Sequence, residues 1–213
     1  MVDSSALAFH HPLTAALYGI TGAGKTFFMR KVLTEPGFIV PKPDKIYWFY
    51  RKDQPLYKNM DHVEFIEGLP TREHYDALNK DKRNVFVIDD MMTEALKCEF
   101  VSSLFSRGSH HRNLSVWLLS QNIFCAGKMR RNIALNTKYV ILFANPRDPN
   151  QIKRLGSQIF PQHKDFLPDA YRQAMEQPYG HLIIALDDKT PKQLRVRSQL
   201  FEPIQTVYLP RTK

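Results

Sequence analysis

The sequence predicts an α/β fold: a central, mainly parallel sheet with helices on both faces. Three observations carry that expectation. Short apolar runs recur along the chain and are continuous rather than alternating, as strands buried on both sides require. Amphipathic stretches separate them, so helices would cover the sheet. Small polar residues collect where the runs end, at residues 19–26, at Asp89-Asp90 and at Gln121. Open α/β sheets bind ligands at those carboxyl edges.

The elements follow in order. Leu13–Tyr18 is the first apolar run, and Phe27–Leu33 is an amphipathic helix stopped by Glu35-Pro36-Gly37. A proline-rich link leads to Lys45–Tyr50, an aromatic run that reads as a buried strand. Residues 51–83 are polar, with one apolar piece at Val63–Ile66 and a helical piece near Arg72–Leu78. Asn84–Asp90 is a strand that ends in two carboxylates, and Glu94–Phe105 carries apolar residues at helical spacing. Ser115–Ser120 and Lys138–Phe143 are further strands. Asp148-Pro149 supplies a cap and a first-turn proline for a helix with Ile152, Leu155 and Ile159 on one face. A short helix around Ala170–Met175 and a strand at His181–Leu186 complete the pattern. The whole chain, 1–213, reads as a single domain, with its core at about 13–200 and a tail from about 201.

Residues 19–26 read Gly19-Ile20-Thr21-Gly22-Ala23-Gly24-Lys25-Thr26, a complete G-x-x-x-x-G-K-[ST] phosphate-binding loop between a strand and a helix. Its glycines let successive backbone N–H groups point at phosphate oxygens, and the helix N-terminus adds partial positive charge. All eight residues are expected to hold a nucleoside triphosphate, ATP. Lys25 would reach the β- and γ-phosphates, and the Thr26 hydroxyl would sit on Mg²⁺. Asp89 is the expected second Mg²⁺ partner, and Asp90 the carboxylate that orients or deprotonates the attacking water. Gln121, at the end of the next strand, would report on the γ-phosphate. The donor-rich stretch Phe105–Leu114 offers Arg107 and Arg112, each of which could serve as an arginine finger on a neighbouring subunit's nucleotide, as a DNA-phosphate contact or as a solvated loop charge. His110 and His111 lack a third ligand at suitable spacing and read as loop residues.

The net charge of +9, with a pI near 9.5, favours a polyanionic partner, nucleic acid first. Basic residues cluster at Lys128–Arg131, at Lys153-Arg154, and at Lys189, Lys192, Arg195 and Arg197. Such clusters would track a DNA backbone without reading its sequence. Cys98 and Cys125 fit neither a disulfide framework nor a metal site and read as buried free thiols. The opening residues lack a basic segment followed by an apolar one, and no run of about 18 apolar residues occurs, so no membrane partner is expected.

With these residues laid out, the chain resembles the FtsK–HerA superfamily of DNA-pumping ATPases. More narrowly, it resembles the genome-packaging ATPases of Polinton/Maverick elements, adintoviruses and related double-stranded DNA viruses. The matching stretches are residues 19–26, Val87–Asp90, Gly108–Val116, Ser120–Asn122, Leu135–Phe143, Asn145–Asp148 and Pro178–Gly180. The resemblance implies a RecA-like P-loop NTPase with an additional strand between the two nucleotide motifs. It implies a homo-oligomeric ring around double-stranded DNA, commonly a hexamer, with a finger arginine supplied across the interface. It also implies docking on a capsid or portal-vertex protein and an intracellular site, host nucleus or cytoplasm, where virions assemble. The superfamily often carries Asp-Glu where this chain has Asp89-Asp90, which leaves Asp90 one methylene short of the usual reach. A small nucleoside or nucleotide kinase and an ATP-gated assembly protein without turnover remain the alternatives. The paired acids and the polar strand end favour water as the acceptor over a hydroxyl.

Overall fold

A computed structural model describes residues 4–51, 60, 62–95, 98–108, 112–121, 133–146 and 149–211. Its strands are β1 (Phe9–His10), β2 (Thr14–Tyr18), β3 (Ile39–Val40), β4 (Lys45–Tyr50), β5 (Val63–Glu67), β6 (Asn84–Asp89), β7 (Leu114–Ser120), β8 (Tyr139–Phe143), β9 (His181–Ala185), β10 (Val196–Ser198) and β11 (Thr206–Val207). The helices are α1 (Lys25–Thr34), α2 (Arg72–Asp76), α3 (Met92–Ala95), α4 (Glu99–Ser103), α5 (Pro149–Ile159) and α6 (Phe166–Ala174).

The main sheet runs β11-β10-β9-β8-β2-β7-β6-β4-β5. From β8 through β5 every pairing is parallel, whereas β8–β9, β9–β10 and β10–β11 are antiparallel. The strand β7 lies between β2, which feeds the phosphate-binding loop, and β6, which ends in the acids. Register is continuous across all three: Leu17 faces Leu119, and Asp89 also faces Leu119 from the other side.

Side chains alternate between two packed faces, as strand geometry demands. On one face Leu17, Val87, Trp117, Leu119 and Ile141 pack under Phe28, Met29 and Val32 of α1. On the other, Ile88, Val116 and Leu118 meet Val101 of α4, while Ala16, Val140 and Leu142 meet Ile152 of α5 and Leu167 of α6. Helices therefore cover both faces, as expected. Trp48 and Phe49 are fully buried, so the aromatic run of β4 is core.

Three details depart from the sequence expectations. The continuous helix expected over 94–105 is broken: Cys98 adopts extended backbone (φ −93°, ψ 106°), and Leu104–Gly108 continues as a π-turn. Cys98 is free but only half-buried, and Cys125 lies outside the described residues. Residues from 201 onward contribute β11 and pack Phe201 against the core of α1.

Arg197 overturns part of the expected basic surface. It is fully buried, and its guanidinium donates to the carbonyls of Leu194 (2.9 Å) and Leu7 (2.8 Å). Burial pulls its pKa down to about 10, against the pull of Tyr139 and Asp187, so it remains charged at neutral pH. It braces the N-terminal segment against β10 and is closed to DNA. Lys153 and Arg154 are exposed, whereas Lys128–Arg131 lies outside the described residues. Arg197→Ala is therefore expected to cost about 2–4 kcal/mol in denaturant unfolding, because its removal takes the donors from the Leu194 and Leu7 carbonyls and leaves a cavity where a fully buried side chain stood. Lys153→Ala and Arg154→Ala should stay within about 0.5 kcal/mol of the parent.

Candidate nucleotide site

The phosphate-binding loop leaves β2 between the ends of two neighbours. Gly19 N–H donates to the Ser120 carbonyl (3.2 Å) and Ile20 N–H to that of Ala144 (3.4 Å). A Cβ at Gly19 would come within 2.6 Å of Phe143 Cβ, so only glycine fits this passage. Gly22 and Gly24 hold φ of 81° and 99°, values that reverse the chain into α1 and that larger residues rarely adopt. Thr21, Gly22, Gly24, Lys25 and Thr26 line a cleft of about 1250 Å³, with Asp89 and Asp90 on its wall. Ala23 packs inward against the core beside α1.

Lys25 is buried, and its Nζ donates to the carbonyls of Gly19 (2.6 Å) and Ile20 (3.0 Å) within its own loop. Burial lowers its pKa, while Asp90 and Asp89 pull it back up. The Thr26 hydroxyl donates to Asp89 Oδ2 at 3.4 Å. Asp89 is itself 3% exposed at the end of β6. Two hard oxygen donors thus converge beside the loop, the chemistry that suits Mg²⁺. Among the described residues no cluster of three or more His, Cys, Asp or Glu exists.

Asp90 sits one residue past β6 with φ 55°, in the left-handed region, and its N–H donates to the Leu119 carbonyl (3.2 Å). Gln121 Nε2 donates to Asp90 Oδ1 at 3.0 Å. Both residues are exposed, and Asp90 lines the cleft. The amide therefore fixes one carboxylate oxygen and leaves the geometry for the other to accept a proton.

The two arginines fall elsewhere. Arg112 lies before β7, at the opposite edge of the sheet, roughly 20 Å or more from Gln121 along the strand. Its guanidinium donates to the Asp76 carbonyl (3.2 Å) and pairs with the Asp76 carboxylate (3.3 Å), over the Tyr75 ring. It does not join the other site residues of its own chain. Arg107 falls in the π-turn, with its side chain outside the described residues, as are His110 and His111.

Sequence reasoning gave no role to the far end of the cleft, where Pro178-Tyr179-Gly180, His181 and Phe201 to Ile204 form the walls. His181 is 8% exposed and packs edge-on against Phe28 (4.9 Å). Its Nε2 accepts from Leu200 N–H at 3.1 Å, and the ring also bonds to the backbone of Tyr179. It thereby ties the two walls together.

The sequence matches no protein-family model and no curated protein. Its fold is similar to that of B204, the DNA-packaging ATPase of Sulfolobus turreted icosahedral virus, with TM-score 0.57 over 95% of this chain and 99% of that one, at 11% identity. The flagellar accessory protein FlaH of Methanocaldococcus jannaschii is similar over 94% of this chain and 91% of its own, with TM-score 0.51 and 12% identity. The cytoplasmic domain of the type VII secretion ATPase EccC of Thermomonospora curvata gives TM-score 0.52 and 15% identity, over 82% of this chain and 24% of that one. These likenesses and the strand order agree: the chain has the RecA-like P-loop fold, with the additional strand β7 between the two nucleotide motifs.

Burial pushes the His181 pKa from 6.5 to about 4. Between those values the unfolded chain binds more protons, so stability is lost as pH falls from about 6.5 towards 4, by about 3 kcal/mol in full. His11, also lowered by burial, adds loss of the same sign. Thermal melts across this window should show a smaller pH dependence in His181→Gln than in the parent.

Proposed function

We propose that this chain is an ATP-hydrolysing motor of the FtsK–HerA type that moves double-stranded DNA into a capsid. The observation that carries the reading is the convergence of Lys25, Thr26, Asp89, Asp90 and Gln121 at one sheet edge, with β7 between the two motifs. The loop amides and Lys25 hold the triphosphate, Lys25 exchanging its two loop carbonyls for phosphate oxygens. Thr26 and Asp89 would hold Mg²⁺, which when bound would supply positive charge against the phosphates. Asp90, steadied by Gln121, orients the attacking water and takes its proton.

The coupling to DNA rests on three supports. B204, with which the chain shares its fold over nearly the full length of both, is a DNA-packaging ATPase. The net charge is +9, suited to a sequence-independent grip on phosphates. The sequence stretches 108–116 and 145–148 carry the resemblance to packaging motors of double-stranded DNA viruses. On this reading the chain works as a homo-oligomeric ring, most simply a hexamer, docked on a capsid or portal-vertex protein inside the host cell. The finger comes from a neighbour. Arg107 is the stronger candidate, since the Arg112 guanidinium is already committed to Asp76. No described helix is long and apolar enough to cross a membrane, and no membrane partner enters the reading.

Phosphate release from ATP and Mg²⁺ should rise several-fold on adding double-stranded DNA of any sequence, and fall at least about a hundred-fold in Lys25→Ala. Phosphate transfer to an added nucleoside, with no release to water, would replace the motor by a kinase.

A further inference from the structure

Beyond the phosphate loop, the cleft is walled by Pro178, Tyr179, Phe201, Pro203 and Ile204, with Gln177, Gln199 and Glu202 among them. Among the described residues, five large hydrophobic side chains are exposed, and three of them line this one cleft: Phe27 (54%), Tyr179 (78%) and Ile204 (80%). Water-facing apolar groups gathered in a concavity mark a binding surface. A second observation points the same way. Four of the described non-glycine residues adopt φ in the left-handed region, and three of these line the cleft: Asp90 at its phosphate end, Tyr179 (55°) and Gln199 (60°) at the other. For a bulky tyrosine this conformation is costly and persists only where the surroundings enforce it.

The surroundings are visible. His181 bonds the backbone at Tyr179 and accepts from Leu200 N–H, one residue beyond Gln199. Gly180 N–H donates to the Gln177 carbonyl (3.0 Å), and a Cβ at Gly180 would strike the Ala174 carbonyl at 2.1 Å. The turn therefore cannot relax by moving towards α6. Phe201 is fixed between Phe28 (5.1 Å) and Lys31, whose Nζ lies 4.4 Å above its ring. The Tyr179 ring lies against the phosphate loop, with Cδ1 3.6 Å from where a Cβ on Gly24 would stand.

We propose that this far end seats the purine base of the bound nucleotide, and that the exposed ring of Tyr179 is its stacking platform, with Ile204 on the second wall. The inference rests on the nucleotide-binding reading above and adds the residues that hold the base. An aromatic ring beside the phosphate loop meets the base one ribose away from the phosphates, and a purine offers it more stacking area than a pyrimidine. Gln177 and Glu202 place an amide and a carboxylate on the rim. The Gln199 amide oxygen is engaged by the Thr206 hydroxyl (2.6 Å) and serves the wall instead. Selection is thus by stacking, which tolerates any base to some degree and favours purines.

The test is calorimetric titration of the full chain with Mg-ATP, Mg-CTP and Mg-tripolyphosphate, which shares the phosphates but has no base. The parent should bind ATP tighter than CTP, and CTP tighter than tripolyphosphate. Tyr179→Ala should lose roughly ten-fold in ATP affinity with tripolyphosphate unchanged, and Tyr179→Phe should retain parental affinity. Ile204→Ser, at a position that carries no core packing, should show the same selective loss and guards against misfolding of the tyrosine variant. Equal affinity of the parent for ATP and tripolyphosphate, or a Tyr179→Ala loss that is the same for both, would overturn the base site while leaving the phosphate loop standing. Failure of the parent to bind either compound would instead remove the nucleotide reading on which it rests.

Discussion

The end of β7 is the joint on which the site depends. Two successive carbonyls there, of Leu119 and Ser120, accept from Asp90 N–H on one side and Gly19 N–H on the other. The next residue, Gln121, bonds the Asp90 side chain. One strand terminus therefore sets the phosphate loop, the acid and the polar amide relative to one another. Because β7 is interposed, β2 and β6 run two strand spacings apart, about 10 Å. That gap leaves open space beside the phosphate loop, yet still lets Thr26 reach Asp89 at 3.4 Å. Strands in direct contact would leave no such room.

The two ends of the cleft are built by different parts of the chain. The phosphate end belongs to the parallel strands, whose carboxyl edges gather β2, β6 and β7. The apolar end belongs to the antiparallel extension, where β9 begins at His181 and β10 runs out into residues 199–204. His181 joins the halves of that second wall and packs on α1, the helix that starts at the phosphate loop. A single neutral, buried imidazole thus couples the fold's stability to the shape of the cleft.

Much of this was legible in the sequence, because the chemistry is local. The phosphate loop is one continuous motif, the acids end a strand readable from its apolar run, and Gln121 ends the next. Strand β4 has the bounds that its aromatic run gives. What was hidden is what depends on distant contacts. Arg197 looks like any surface cation until the Leu7 carbonyl, far away in sequence, reaches it. Arg112 looks like a free loop donor until Asp76 takes its guanidinium. The strands β10 and β11 are too short to show a period, and the break at Cys98 leaves helical spacing intact on both sides. Tyr179 lies in one of the stretches that carry the resemblance but, like His181, was given no role, since their significance lies in a left-handed turn and a cross-wall hydrogen bond.

On the proposed function this edge hydrolyses ATP rather than only binding it, and Asp90 is the group that handles water. The most direct measurement is single-turnover hydrolysis by Asp90→Asn, alongside its equilibrium affinity for Mg-ATP. Loss of the proton-accepting oxygen should slow the chemical step at least about a hundred-fold while affinity stays within a few-fold of the parent. Hydrolysis at the parental rate with Asn at position 90 would contradict the account and move the water-handling role to another residue.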